Sequence, residues 1–530
     1  MTIEIIRFVI IFLVLSIKTV FAQSDACTVQ WGPEMDVGRY ERISGWIGED
    51  EHHYYLKSEK EAALNNSGTY IKKIDHKLSL VTSGFIKQDY KESGAQFHTE
   101  KILFFDGNLF LFSSMVDKKK KEYILFWKKI DSTTLLPTGS FNRMFATGYS
   151  QPSRINRYRF VLSPDNKKML VSITVPGNEK AERDNQFVSV YNGSMELQWK
   201  KLITNDHPNI NLGYVYRIDD KGNVYNKARN YTEKNGWNSK EVVSYSYTII
   251  AFIENGEKQI SFLIDVPQKF IKDISYKIDL TGSKIIVCGF YSNDLNKYGY
   301  DGCFYQQLDI NSNTVLVSSF KAFDLNMLTE GMSEKEIEHA KRRDNSRKDQ
   351  YFANYNLNNI IVRADGSVVL ISECSYTLSI SAEDGRGGYG AYATYHYDNL
   401  LLVNISASGN IEWVTAIPKT SHEQIAHQYA SYVAMVKGDK IYLLFNDNIK
   451  NNSRNIVTEG VLDAQFHGEY AALTLATVNG DGIVKRETLA KTVNSSVVPR
   501  PYVSKQISDD ELFLIGEYEQ VDQFAIIKFK

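Results

Sequence analysis

The sequence predicts an all-β fold, a β-propeller of eight four-stranded blades. Three observations lead there. A polar turn followed by a tight apolar run recurs eight times along the chain. A second hairpin follows nearly every copy. The last unit is one strand short, and the segment ahead of the first unit can supply that strand.

The repeat is clearest in Asp279–Tyr291, DLTGSKIIVCGFY. Asp and Gly tolerate the backbone angles of a tight hairpin, and β-branched runs fit a buried strand. Further copies begin at Phe105 (FDGNLFLF), Ser163 (SPDNKKMLVSI), Asp219 (DDKGNVY), Arg363 (RADGSVVLIS), Val436 (VKGDKIYLLF) and Ser508 (SDDELFLIG), with a weaker first copy at Ile47 (IGEDEHHYYL). The first five turns lie about 55–60 residues apart and the later ones about 70–85, a spacing suited to blades. An irregular first unit would leave seven blades as the alternative.

The second hairpins include IKKIDHKLSLV from Ile71, VSVYNGSMELQW from Val188 and LLVNISASGNIEW from Leu401. With the first hairpin as strands a and b and the second as c and d, each unit reads as one blade. Runs apolar on both faces suit sheets packed between sheets. The final unit has a and b (Tyr502–Gly516) and one more strand, Phe524–Lys530. Thr28–Trp31 is expected to pair beside it and close the ring, since an open ring would expose an unpaired edge.

Residues 1–22 read as a cleavable signal peptide, with an apolar run Phe8–Ile17 after Arg7 and cleavage after Ala22. The run is short for a membrane span, and no later stretch is apolar enough to provide one. A secreted, periplasmic or cell-surface location is expected. Residues 23–530 form one domain without a linker: Pro is scarce (10 residues), while Tyr (33) and Phe (27) are abundant. A net charge of −2 argues against a general nucleic-acid or anionic-membrane binder. Four cysteines are too few for a disulfide scaffold. A bridge between Cys288, at the end of a strand b, and Cys303, at the start of the next strand c, is geometrically allowed; two separate buried thiols are the other reading.

Two insertions interrupt the repeat. Asp324–Tyr355 carries a capping box at Ser333–Glu336 and a charged run, which predicts a short solvated helix. Thr377–Tyr397 links strands b and c of blade six. The b–c connections are long, whereas the a–b and c–d turns are short. In an antiparallel blade the b–c loops emerge beside the d–a connections, so the elaboration falls on one side of the ring, where recognition is expected.

Chemical motifs are sparse. His422–His427 (HEQIAH) has one residue too many for the zinc-protease spacing, and the acidic turns do not fit a calcium loop. Neither a metal nor a cofactor is expected. Glu373 and Glu517 occupy corresponding places just after strand b in blades six and eight. Tyr389, Tyr392, Tyr395, His396 and Tyr397 share one elaborated loop, and Trp237 sits on another. Exposed aromatic faces stack on sugars or anchor protein partners; mutual packing that holds the loop is the alternative.

The Gly-x-Ile-x-Trp pattern at Gly409–Trp413, and more loosely at Gly193–Trp199, resembles repeats of quinoprotein-like eight-bladed propellers. The vicinal cysteine pair of the quinone-dependent dehydrogenases is missing, so their cofactor is not implied. The Trp31–Glu34 start and the text from Asp398 (DNLLLVNISASGNIEWVTAIPK) resemble secreted bacterial propeller proteins without an assigned activity. That likeness implies a fold and a compartment and no catalytic residue. The sequence therefore points to a monomeric binding module for a protein or a glycan. The alternatives are a carbohydrate-active enzyme at the channel mouth and a structural component of a cell-surface assembly.

Overall fold

The computed structural model describes residues 24–530 apart from 61–66, 149–156, 176–184, 205–209, 232–244, 280, 296–298, most of 324–353, 384–388 and 493–494. Eight antiparallel sheets follow one another along the chain, each with strands in the order a-b-c-d. Blade four shows the pattern: a, Ile210–Ile218; b, Val224–Tyr231; c, Tyr245–Ile253; d, Lys258–Ile264. In most blades strand b is buried on both faces, as in Lys284–Ser292 and Lys440–Asn448, because neighbouring blades cover both. Strand d alternates, burying Ile260, Phe262 and Ile264 and exposing Leu263 between them, as an outer strand must. The a strands are innermost and line the central channel, and those of blades one and two, three and four, five and six, and seven and eight touch one another.

The ring closes with the strand the sequence assigned. Cys27–Trp31 pairs antiparallel with Val521–Phe529, with Cys27 opposite Phe529 and Trp31 opposite Ala525. The first strand of the chain thus becomes strand d of blade eight. The weak first unit is a complete blade (Glu41–Glu49, His53–Lys60, Gly68–Asp75, Leu80–Lys87), which makes the count eight.

The core is divided. Each pair of neighbouring blades encloses its own apolar cluster, such as Ile249, Ile264, Ile274, Val287 and Phe304 between blades four and five. Between blades eight and one the cluster is Ile43, Leu56, Ile74, Phe513, Ile515 and Phe524. The tryptophans of the Gly-x-Ile-x-Trp pattern dock one blade on the next. Trp413 donates its indole N–H to the Gly480 carbonyl of blade seven at 2.7 Å. Trp199 does the same to Gly222 of blade four at 3.0 Å. Gly482, at φ +83°, must be glycine twice over: its backbone is left-handed, and a Cβ would lie 2.8 Å from the Trp413 ring.

Two expectations need adjustment, and a third falls outside the described residues. Thr377–Tyr397 is a continuation of the sheet: strands b (Val368–Glu383) and c (Tyr389–Ile405) of blade six run on past the blade as a paired arm. Cys288 and Cys303 are free thiols. Cys288 faces Tyr305 and Cys303 faces Phe290, so the two cysteines are diagonal neighbours. Diagonal positions lie about 7–8 Å apart, beyond the span of a disulfide. The helix expected within Asp324–Tyr355 falls outside the described residues, apart from Glu334, Ile337 and Glu338, which are helical.

Candidate functional site at the channel mouth

Four pieces of chain meet at the elaborated end of the channel. Strand a of blade six (Tyr355–Val362) brings Asn356 and Asn359. Strand b of the same blade brings Glu373 and Ser375; Glu373 lies inside the strand, opposite Asn356. The connection from blade six to blade seven brings His427 and Ser431. In blade eight strand a is broken into Val498–Pro499 and Lys505–Gln506 by a helical turn, Pro501–Val503, which pushes Tyr502 inward. Together they enclose a cavity of about 510 Å³, within the usual size of a ligand site.

The connection is held by its own sequence. Ser421–Glu423 pairs with strand c of blade six, placing His422 opposite His396. The Glu423 carboxylate then accepts the backbone N–H groups of Gln428, Tyr429 and Ala430 at 2.9, 2.9 and 3.2 Å, folding residues 424–430 back over it. HEQIAH is therefore a strand end and a tight loop, and its two histidines go separate ways. His422 stacks on His396 at 5.6 Å, and His396 on Tyr376 at 4.7 Å. His427 turns toward the cavity. No cluster of three or more metal-ligating side chains occurs among the described residues.

His427 lies between two tyrosines. The Tyr502 ring stacks on it at 3.7 Å, nearly parallel at 14°, and the Tyr397 ring packs against it at 4.8 Å. The Tyr397 hydroxyl accepts the His427 backbone N–H at 3.1 Å. Burial pushes the His427 imidazole below its ordinary value, so the neutral ring is favoured. Tyr502 remains 53% exposed despite the stack.

Charge inside the site is already balanced. Glu373 is buried and lies 2.8 Å from the buried Lys419 ammonium. Ser431 donates to its other oxygen at 2.6 Å. Lys419 also donates to the Tyr397 carbonyl at 2.8 Å, which ties the ion pair to the tyrosine beside His427. Glu517, the counterpart in blade eight, is turned into the closing seam, where Arg500 and Arg42 hold it at 2.7 and 3.1 Å.

Of the aromatic residues singled out in the sequence, the structure brings Tyr397 to the edge of this site and places His396 in the row with Tyr376 and His422. Tyr395 lies on strand c opposite Glu423. The side chains of Tyr389 and Tyr392, and all of Trp237, lie outside the described residues. Sequence reasoning missed Tyr502, Asn356, Asn359 and Ser431. The usable signal was Glu373, an acid at the end of an apolar run, with the polar connection from Lys419 to Ala430 following the same blade.

No family model matches the chain, and no curated protein matches it. Solved structures with a similar fold include the WD40 domain of SCAP from fission yeast, at 10% identity and a TM-score of 0.39, covering 95% of this chain and 94% of that one. The propeller domain of the trilobed protease from Pyrococcus furiosus matches at 9% identity and a TM-score of 0.33, covering 85% and 96%. Prolyl oligopeptidase B from Galerina marginata matches at 11% identity and a TM-score of 0.38, over 90% of this chain and 56% of its own length. At such scores these likenesses bear on neither ligand nor activity, and the resemblance to quinoprotein-like propellers extends no further than the propeller fold.

Proposed function

We propose that this chain is an exported binding module that takes its ligand, a protein segment or a glycan, on the face carrying the b–c and d–a connections. The mouth of the channel between blades six, seven and eight is the point of engagement. One observation carries the reading. The cavity is open, lined by amides, hydroxyls, one lysine (Lys505) and a half-exposed tyrosine, and among the described residues it contains a single carboxylate, which is already paired with Lys419. Glycoside hydrolysis ordinarily uses two carboxylates facing each other across the scissile bond. Here Glu517 is committed to two arginines, and Glu373 is committed to a lysine and a serine. Preorganised neutral hydrogen-bonding groups around a fixed ring are the equipment of recognition. The signal sequence supports the export.

The test is capture of ligands on immobilised chain, from a glycan array and from extracellular protein fractions, beside Asn359→Trp. Asn359 is an exposed residue of strand a that faces the cavity, so a large side chain there fills the mouth without disturbing a core. Loss of the captured ligand at unchanged Tm is expected. Equal capture by both proteins, or turnover of a captured glycan, would sink the reading.

A further inference from the structure

We infer that the ligand of this cavity is a neutral oligosaccharide, with one sugar ring laid on the free face of Tyr502. The inference rests on the reading of the cavity as a binding site and narrows it to one chemical class.

The platform comes first. Tyr502 has one ring face covered by His427 at 3.7 Å, so its 53% exposure falls on the opposite face and the edge. His427 in turn packs against the Tyr397 ring, tilted at 50°, and the Tyr397 hydroxyl pins the His427 backbone. The helical turn Pro501–Val503 fixes the Tyr502 backbone, and the Ser504 hydroxyl donates to the Arg500 carbonyl at 2.8 Å across that turn. A ring held this way loses little freedom on binding. The axial C–H groups of a pyranose find a flat, weakly negative surface in it.

The polar groups fit the same ligand. Sugar hydroxyls both donate and accept, and side-chain amides do the same. Asn356, Asn359 and Gln506 surround the cavity with Ser375 among them. Asn356 spends one N–H on the Ser375 hydroxyl at 2.6 Å, which orients its amide and leaves its carbonyl oxygen to accept.

The charges disfavour the rivals. An anionic ligand such as a phosphate or a uronate calls for unpaired cations. Lys419 is consumed by Glu373, and the one lysine among the described lining residues, Lys505, is drawn over the Trp46 ring at 4.8 Å. A single ammonium without guanidinium forks is a poor match to a polyanion, a mismatch that polygalacturonate tests. An apolar ligand calls for apolar walls, and this cavity offers mainly Val433, Ala434 and the Tyr432 ring.

The experiment is isothermal titration of the chain lacking residues 1–22 with cellohexaose, laminarihexaose, maltohexaose, xylohexaose and mannohexaose, with polygalacturonate as the anionic comparison. Wild-type protein is expected to bind at least one neutral hexaose. Tyr502→Ala is expected to weaken that binding about tenfold or more, and Tyr502→Phe, which keeps the ring face, to leave it within about threefold. Tyr502 is exposed, so both variants are expected to keep the wild-type Tm. Binding unchanged in Tyr502→Ala overturns the inference, as does binding of polygalacturonate alone. If no hexaose binds while Asn359→Trp still abolishes capture of a protein ligand, the sugar assignment fails and the broader reading of the cavity stands. If Asn359→Trp leaves all capture intact, both fail.

Discussion

The seam between blades four and five and the seam between blades eight and one perform the same task with different chemistry. The first is an apolar layer of isoleucines, phenylalanines and tyrosines. Its ion pair, Lys227 with Asp273 at 3.3 Å, is partly exposed at the margin. The second has a smaller apolar cluster and, beside it, a buried charge network. Lys72 sits between Asp522 and Glu41, each at 2.8 Å, and Glu517 sits between Arg500 and Arg42. Blade seven, next to the candidate site, shows the same habit, with buried Asp447 held by Arg486 and Asn451. Among the described residues, buried charge is concentrated in the arc that closes the ring and forms the site.

The difference has a physical reading. Apolar packing is non-directional and accepts any partner of the right shape. A buried ion pair gains little net stability, but breaking it strands a charge. An ionic seam therefore penalises wrong pairings where two chain ends must find each other. The apolar seams join blades already adjacent in sequence and need no such selection.

The largest expected effect comes from removing residues 24–31. That deletes strand d of blade eight, exposes the Val521–Phe529 edge and is expected to abolish the cooperative thermal transition seen by calorimetry. Next is Lys72→Met, which leaves Asp522 and Glu41 buried without their cation and should cost about 3–5 kcal/mol in urea unfolding. Adding Glu41→Gln and Asp522→Asn to it should restore most of that loss. A triple variant as unstable as the single one would show that the network supplies net stability. In the apolar seam, Ile274→Val should cost only about 0.5–1.5 kcal/mol.

The two seams should also part with pH. Burial alone would pull Lys72 down, but Asp522 and Glu41 outweigh it and hold the ammonium above its ordinary value of 10.5. The folded state therefore binds the proton more tightly than the unfolded state. Its contribution is full below pH 10.5 and lost as pH rises through the raised folded value. The stability gap between wild type and Lys72→Met should shrink as pH rises through that alkaline window, and again toward acid, where Asp522, pushed up by burial and robbed of its cation, takes a proton in the variant; the Ile274→Val gap stays flat. A Lys72→Met gap that stays constant as pH rises through the alkaline window would contradict the assignment. The smallest effect concerns the thiols: a reducing agent should leave Tm unchanged, because Cys288 and Cys303 are free.

The architecture was legible because it is local. Turn residues and apolar runs repeat blade by blade, and each strand pairs with its neighbour in sequence, so counting turns counts blades. Even the closing strand could be placed, because a missing strand at one end and a spare one at the other have a single economical solution. The arm of blade six was misread as a loop because Gly and Tyr around positions 385–392 look like loop composition, and only the pairing of Glu383 with Tyr389 shows a hairpin.

The candidate site and the ionic seam are not local. Tyr502, His427, Glu373 and Asn356 come from two blades and the connection between blades six and seven, and Lys72 meets Asp522 across almost the whole chain. Nothing in the short-range pattern of any one segment encodes those meetings. The sequence by itself determined the repeat, the blade count and the strand that closes the ring, because strand pairing and alternating burial act over a few residues. Only the tertiary structure decided which acids are neutralised and which tyrosine remains open. Those outcomes depend on what the closed ring brings within a few ångströms of each side chain.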